Sequence, residues 1–449
     1  MALEITKKLL GNVQELIQNK KDTALSEMFI DVHHADIAEV LDELSFDDAV
    51  YIIRLLDSET TSEVLMDVDE DVREKILSQL TDKEIAEEIE ELDTDDAADV
   101  IAELPEDRKQ EVMQKIEDKE HAKEIVELLR YDEDSAGGLM AKEMVKVNEN
   151  WNVLTCVKEM RVQAEEVTRV HSIYVVDDDG KLKGRLSLKD LLMASTRSKI
   201  ADVYIPRVDF VNVHESAEEV ANVMRKYDLE AIPVIDELGV LVGRITIDDI
   251  VDVIKEEAEK DYQLAAGITQ DVDSEDSILD LTKARLPWLF LGLLGGIGAF
   301  LIMGNFEHTF KENAVLFFFT PLIAAMAGNV GVQSSAIIVQ GLANDEVKGS
   351  MKNRLIKEML LALLNGVVLA IFLFLFVFVY EQEMMKALAI SISLVVVIVV
   401  AGLIGTFVPL FLHKRGIDPA IATGPFITTS NDIFGILIYF LIAQLILGF

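Results

Sequence analysis

The stretch Ala420-Ile-Ala-Thr-Gly-Pro-Phe-Ile-Thr-Thr-Ser-Asn-Asp432-Ile-Phe-Gly-Ile-Leu-Ile-Tyr-Phe-Leu-Ile-Ala-Gln-Leu-Ile-Leu-Gly-Phe449 carries one formal charge in an otherwise apolar run. Spanning a hydrocarbon core takes about 20 apolar residues in a helix, and this run is longer than that. Four similar runs precede it: Leu286–Met303, Ala314–Ala343, Met359–Tyr380 and Ala387–Leu412. Helices buried in soluble proteins seldom stay free of charge over such lengths. Residues 284–449 are therefore expected to form an all-α membrane domain with five transmembrane helices. Pro321, Gly328 and Gly331 predict a bend or break in the second run.

A carboxylate inside a membrane costs several kcal/mol unless it faces water or a partner, so Asp432 marks a functional site. None of the other four runs contains a basic residue to pair with it. Thr428, Thr429 and Asn431 offer oxygens beside it, and the second run supplies Asn329, Gln333, Ser334 and Ser335 among its glycines. Carboxylate, amide and hydroxyl oxygens are hard ligands suited to Mg²⁺ or Ca²⁺. The direct reading is a cation pathway with Asp432 as metal ligand and Asn329, Gln333 and Thr428 lining the pore.

The charge balance divides the chain at the same place. The 449 residues hold 80 Asp and Glu against 41 Lys and Arg, a net charge of −39, yet half are hydrophobic. From Ala284 onward there are nine acidic and nine basic residues, which leaves 71 acidic and 32 basic in positions 1–283. The first part thus carries the whole excess. Such acidity argues against a nucleic-acid partner, because phosphate attracts Lys and Arg. A single cysteine, Cys156, excludes a disulfide framework. Ile, Leu and Val recur at regular spacing through the acidic part, which argues against disorder.

Orientation follows from the basic loops. Lys348, Lys352, Arg354 and Lys357 lie between the second and third runs, Lys414 and Arg415 between the fourth and fifth, and Lys283 and Arg285 before the first. The remaining two loops contribute only Lys311 and Lys386. The positive-inside rule puts the three basic flanks in the cytoplasm. The N-terminus is then cytoplasmic and the C-terminus outside. The opening residues, MALEITKKLLGN, show no apolar core of signal-peptide length, in keeping with a cytoplasmic start.

Within the acidic part, a segment repeats at an offset of 59. His171-Ser-Ile-Tyr-Val-Val-Asp-Asp-Asp-Gly-Lys-Leu-Lys-Gly-Arg-Leu-Ser-Leu-Lys-Asp-Leu191 parallels Glu230-Ala-Ile-Pro-Val-Ile-Asp-Glu-Leu-Gly-Val-Leu-Val-Gly-Arg-Ile-Thr-Ile-Asp-Asp-Ile250. Each copy reads as strand, Gly turn, strand through Gly-Arg, and a helix opened by Ser187 or Thr246. Residues 1–135 read as short stacked helices: Leu-Ser-Phe-Asp-Asp-Ala49 and Leu-Asp-Thr-Asp-Asp-Ala97 recur as helix starts, and a small superhelix fits them. From about Ile247 the period is helical again and strongly acidic. Asp249, Asp252 and Glu256 share one face there, and Asp95 and Asp99 stand one turn apart on an earlier helix. Like charges so placed repel by about 0.2–0.5 kcal/mol per pair. Divalent ions bridging them would cancel that cost and compact the region.

The paired units resemble CBS domains, through Val-Val-Asp-Asp-Asp-Gly-Lys-Leu-Lys-Gly184 and Pro-Val-Ile-Asp-Glu-Leu-Gly-Val-Leu-Val-Gly243 and the strand and helix start that follow. That resemblance implies a ligand-responsive regulator, with adenine nucleotide (ATP) as a candidate ligand and Tyr174, Lys189 and Asp190 as candidate contacts. The whole chain resembles the MgtE family of bacterial magnesium channels. The order matches, as do Arg130-Tyr-Asp-Glu-Asp-Ser-Ala-Gly-Gly-Leu-Met140, Gly328-Asn-Val-Gly-Val-Gln-Ser-Ser335 and Asp418-Pro-Ala-Ile-Ala-Thr-Gly-Pro-Phe-Ile-Thr-Thr-Ser-Asn-Asp432.

The implied organisation is an acidic α-helical N domain (1–135), two α/β CBS domains (136–198 and 199–254), a connecting plug helix (255–283, beginning near 247) and the membrane domain. The resemblance implies a homodimer in the bacterial inner membrane, with the pore between subunits. It admits Mg²⁺ and closes when cytosolic Mg²⁺ occupies acidic sites. Asp432 would recognise hydrated Mg²⁺, and Asp418 would meet the plug helix through a metal. Asp95, Asp99, Glu218, Asp228, Asp249, Asp252 and Glu257 would be the sensor carboxylates. The sequence departs from the family at Val332 and Gly424 in the membrane motifs, at Lys260 in the plug helix and at Ser216 in the second CBS unit.

Two other function classes fit parts of the sequence. One is a transporter coupled to Na⁺ or H⁺, or one preferring Co²⁺ or Mn²⁺, since oxygen-donor sites select weakly among such ions. The other is a membrane-anchored nucleotide sensor without transport. An intramembrane enzyme is disfavoured: the runs hold no His/Glu metal-ligand cluster and no activated nucleophile.

Overall fold

The computed structural model describes residues 5–165, 167, 169–270, 272, 276–307, 313–343, 347, 349–422 and 424–448. Lys311, Lys348 and Phe449 lie outside the described residues. The chain divides into two compact units, Met1–Lys255 and Glu256–Phe449.

Among the described residues, the first unit opens with ten short helices. These are α1 (Lys7–Gln18), α2 (Asp22–Phe29), α3 (His34–Asp42), α4 (Phe46–Ile53), α5 (Ser58–Asp67), α6 (Glu70–Gln79), α7 (Asp82–Ile89), α8 (Thr94–Glu103), α9 (Glu106–Lys115) and α10 (Lys119–Leu128). Their starts are written locally. Ser45 accepts a hydrogen bond from the Asp48 amide, and Thr81 with Glu84 forms a reciprocal capping box. Helix α3 packs on α5, α5 on α7 and α7 on α9, while α8 packs on α10. Most of these helices thus rest on the next but one, as in a superhelical stack. Ile37, Val40, Ile52, Val64, Ile85, Ile89, Val100 and Ile101 fill the core between them.

Two three-stranded sheets follow. The first is formed by β1 (Val145–Asn148), β2 (Ile173–Val176) and β3 (Leu182–Leu186), with α11 (Val153–Gln163) crossing between β1 and β2 and α12 (Leu188–Met193) after β3. The second repeats the plan with β4 (Val211–Asn212), α13 (Ala217–Tyr227), β5 (Ala231–Ile235) and β6 (Leu241–Thr246). In each sheet the first pair is parallel and the second antiparallel. The duplication holds in register: Tyr174 faces Arg185 in one sheet, and Pro233 faces Arg244 in the other. The two turn glycines, Gly180 and Gly239, both have positive φ, the backbone region that favours glycine. They also meet across the pair, where Leu182 N donates to Gly239 O and Leu241 N to Gly180 O.

Helix α14 (Ile247–Ala266) leads out of the second sheet. Among its described residues, the second unit holds five helices long and apolar enough to cross a membrane. These begin with α15 (Ile278–Phe306). The second span is α16 (Val315–Phe318) continued by α17 (Thr320–Ala343), and α18 (Met351–Glu381), α19 (Met384–His413) and α20 (Gly424–Leu447) complete the set. The second span breaks immediately before Pro321, as the sequence predicts, because proline cannot donate an amide hydrogen bond to the preceding turn. Helix α18 starts eight residues earlier than its apolar run, so Arg354, Lys357 and Glu358 are helical. Helix α19 is the hub, packing on α17, α18 and α20, while α15 packs against α20. Small residues set the distances. A methyl group on Gly405 would sit 2.3 Å from the Gly331 carbonyl oxygen, and one on Gly295 would sit 2.1 Å from Thr429 Cγ2. Such close approach is how membrane helices gain packing without a hydrophobic drive.

Candidate cation cleft and carboxylate cluster

Helix α20 presents two faces. Ile427 and Asn431, one turn apart, are buried against α17, and Asn431 Nδ2 donates to the Ala327 carbonyl at 3.2 Å. Thr428 and Asp432, also one turn apart, are each turned 100° from these around the helix. They meet Ala324, Ala325, Gly328, Asn329, Val332 and Gln333 of α17 in an open cleft of about 430 Å³. All four residues expected to define the pathway, Asn329, Gln333, Thr428 and Asp432, therefore share one cleft within a single chain. A hydrated Mg²⁺ with six waters occupies roughly 180 Å³ at about 30 Å³ per water, so the space admits the ion with its water shell.

Ser334 and Ser335 do not join them. Both are buried; Ser334 lies on the side of α17 away from the cleft and donates to Glu358 at 2.6 Å. The helical step of 100° per residue separates Ser334 from Gln333. Val332, a departure from the family motif, lines the cleft and contributes no oxygen there.

At the start of α20, Gly424 has φ +45°, and a methyl group on it would lie 2.2 Å from the Ala265 carbonyl oxygen at the end of α14. Gly267 is similarly close to Pro425, 2.4 Å by the same construction. The end of α14 is thus seated on the helix that carries Asp432. Gly424, the second departure, is what this contact requires. Asp418 is exposed and accepts from the Ala420 amide at 2.8 Å. Glu257 lies on α14 within 3.0 Å of Lys260, so the lysine that departs from the family pattern pairs with a candidate sensor residue.

The carboxylate cluster lies in the first unit. Asp93 occupies the N-cap position of α8 without capping it. Its carboxylate is instead 3.0 Å from Arg244 Nη2, and Arg244 also donates to the Glu143 carbonyl. The N-terminus of α8 is capped from outside the helix: the Thr94 amide and hydroxyl donate to the Glu143 carboxylate at 2.9–3.3 Å. An anion there is favoured by the helix dipole and by amides that lack intrahelical partners. The Lys142 amide donates back to Thr94 Oγ1, and Lys142 Nζ pairs with Glu127 of α10.

Around this dock the acids crowd. Burial pushes the Asp95 carboxyl well above its ordinary range, with Asp96 and Asp249 adding repulsion. Burial and repulsion from Asp249 and Asp93 bring Asp96 to about 7. Asp99 also rises to about 7, from burial and from Glu133, against the opposing pull of Arg73. Asp99 sits at the solvent edge, where water screens charge more strongly. Asp249 is raised by burial, while the Thr246 amide and hydroxyl bonds to its carboxylate act the other way. The structure therefore joins Asp95 and Asp99 with Asp249, and adds Asp93, Asp96 and Glu143. Asp252 and Glu218 are exposed on α14 and α13. Asp228, left-handed at the end of α13, lines a separate cavity of about 350 Å³ with Arg225 and Ile250. Among the described residues, no three of His, Cys, Asp and Glu converge as a closed metal-ligand set. Mg²⁺ gives up water reluctantly and is usually held through one or two carboxylates, so such an open arrangement suits it.

The nucleotide candidates are dispersed. Tyr174 is 1% exposed and packs with Val176 and Leu241, so its ring offers no open face to a base. Lys189 is exposed and Asp190 partly so, both in the first turn of α12. Arg244 is the residue that sequence reasoning missed. The repeat contained its signal: Arg185, its counterpart 59 positions earlier, is exposed, whereas Arg244 is buried against acids.

Comparison with known proteins places these features. A family model described as the MgtE divalent cation transporter matches residues 320–442, one described as the MgtE intracellular N domain matches 32–134, and CBS domain models match 136–197 and 200–256. The chain is 34% identical over 317 residues to the magnesium transporter MgtE of Bacillus subtilis, covering 70% of each protein. It is 36% identical over 323 residues to that of Thermus thermophilus, covering 71% of this chain and 72% of the relative. Among solved structures, the cytosolic domain of the Mg²⁺ channel MgtE in complex with ATP is similar, with a TM-score of 0.51, 36% identity, and coverage of 54% of this chain and 99% of that one. The soluble part of a magnesium transporter gives a TM-score of 0.50 at 29% identity, covering 56% of this chain and 99% of that one.

Proposed function

The chain belongs to the MgtE family of magnesium transporters, and on that premise we propose that it is a Mg²⁺-selective channel closed by cytosolic Mg²⁺. The observation that carries the transport pathway is the cleft in which Asp432, Thr428, Asn329 and Gln333 face one another. Asp432 attracts the hydrated ion, and the amide and hydroxyl oxygens accept hydrogen bonds from its waters. The cleft is open along one side, which favours a pathway completed by a second copy in a homodimer. With the acidic part in the cytoplasm of a bacterial inner membrane and the C-terminus outside, the potential drives entry. It supplies about 2.3 kcal/mol per charge per 100 mV, doubled for a divalent ion.

Closure uses the acids. The raised carboxyls around α8 hold like charges together at a cost that Mg²⁺ removes by bridging Asp95, Asp96 or Asp99 to Asp249 through its waters. Asp228, Asp252, Glu218, Glu257 and Asp418 supply further positions at which the ion tightens the cytoplasmic part. The contact between Ala265 and Gly424 couples α14 to the pore helix. ATP is a candidate modulator at the CBS pair, suggested by the similar cytosolic domain solved with ATP.

Flux into proteoliposomes tests this reading. Mg²⁺ should enter down its gradient without a Na⁺ or H⁺ gradient, and raising Mg²⁺ on the cytoplasmic face should stop it. A strict requirement for a proton or sodium gradient would make the protein a coupled transporter instead.

A further inference from the structure

Behind the cleft, a second carboxylate lies among the membrane helices. Glu358, on the second turn of α18, accepts a hydrogen bond from Ser334 Oγ of α17 at 2.6 Å, and Ser334 is 4% exposed. Its Oε1 also lies against α19, because a methyl group on Gly402 would stand 3.0 Å from it. Glu358 is therefore lodged where α17, α18 and α19 meet, on the side of α17 that does not face the cleft.

The packing there explains what it does. Helices α17 and α19 touch backbone to backbone at Gly331 and Gly405. Glycine surfaces permit close approach but provide few side-chain knobs to fix register, and in membranes polar contacts supply that specificity. Ser334 follows Gln333 by 100° around α17, so a bond holding Ser334 inward also fixes the direction of Gln333 and of Asn329 one turn before it. We propose that Glu358 is a positioning residue for transport: its carboxylate anchors Ser334 and so orients Asn329 and Gln333 toward Asp432. The proposal rests on the reading of the α17–α20 cleft as the pathway. The space left by Gly402 is part of the device, since a methyl group there would press on the carboxylate at 3.0 Å and a larger side chain would displace it from Ser334.

The test uses purified full-length protein in proteoliposomes, with initial Mg²⁺ flux measured against external Mg²⁺ and normalised to folded protein. Glu358→Leu should raise KM about tenfold or more with a smaller change in maximal flux. Glu358→Gln keeps an acceptor oxygen for Ser334 and should stay near the parent value. Ser334→Ala should reproduce the Glu358→Leu defect, and the double variant should be no worse than either single one. Where Glu358→Leu fails to fold, Ser334→Ala and Gly402→Ala carry the test, and both should raise KM. An unchanged KM with only a lower yield or melting temperature would reduce Glu358 to a packing role and overturn the proposal. So would a Glu358→Gln defect equal to that of Glu358→Leu, which would assign the effect to charge. Asp432→Ala, run in parallel, separates the premise: normal flux there would remove the cleft as the pathway, whereas lost flux with a normal Glu358→Leu would overturn the positioning role alone.

Discussion

Asp432 and the acids around α8 place charge in different settings, one facing a membrane cleft and the others crowded together and largely withdrawn from water. If the Asp432 carboxylate meets the ion as proposed, Asp432→Ala should abolish Mg²⁺-dependent growth of a strain lacking other uptake systems. Growth at the parental rate would remove Asp432 from the pathway. The cluster makes a pH prediction. Asp96 and Asp99 are raised to about 7 in the docked arrangement, from an ordinary value of 3.8. A carboxyl with a raised range binds protons more readily when docked than when separated. Docking is therefore fully favoured below about 4 and loses that contribution as pH climbs through about 7. In Mg²⁺-free solution, the melting temperature of the Met1–Lys255 unit should fall between pH 5 and pH 8, and added Mg²⁺ should restore most of it at pH 8. A melting temperature that rose with pH would contradict the assignment. Asp432 was legible in the sequence because a charge in an apolar run has nowhere to hide. Arg244 was not, because its partner Asp93 lies 151 positions away and only folding brings the two together.

The elements show how separated segments are tied. The N-terminus of α8 is capped by Glu143, its N-cap Asp93 is held by Arg244, and Lys142 reaches α10. These bonds need no metal, so they set how much docking remains for Mg²⁺ to supply. Arg244→Ala removes a buried charge-assisted pair worth about 1.5–3 kcal/mol. Amide exchange in α8 should then quicken by about tenfold or more in the absence of Mg²⁺, and the Mg²⁺ concentration needed to close the channel should rise. Unchanged exchange would show that Arg244 does not hold the dock. At the other end of α14, Gly424→Ala should displace Ala265, because its methyl group would enter the space of a backbone oxygen. Closure at high Mg²⁺ should weaken while the open-channel flux persists, as patch recordings can resolve. The helices, the duplicated sheets and the break before Pro321 followed from period, cap and turn residues, which act locally. The membrane helix ends did not: Arg354, Lys357 and Glu358 extend α18 past its apolar run, since helix formation continues through polar residues that hydropathy excludes. The inward direction of Ser334 was equally hidden, because it depends on Glu358 and Gly402 from two other helices.

For the whole molecule, the −39 net charge and the neutral membrane part are two halves of one device. On the function proposed above, the acids store repulsion that a divalent cation relieves, and the membrane part admits that same cation past one carboxylate. Composition showed the division, and the resemblance to the MgtE family gave it a direction. The central claim is that Mg²⁺ is both the transported ion and the signal that stops transport. It is tested most directly by single-channel recording from the full-length protein in planar bilayers, with Mg²⁺ stepped on the cytoplasmic face alone. Open probability should fall steeply as cytoplasmic Mg²⁺ rises, and in Asp95→Asn/Asp249→Asn it should stay high while unitary current is unchanged. An open probability indifferent to cytoplasmic Mg²⁺, or a double variant that closes like the parent, would contradict the account.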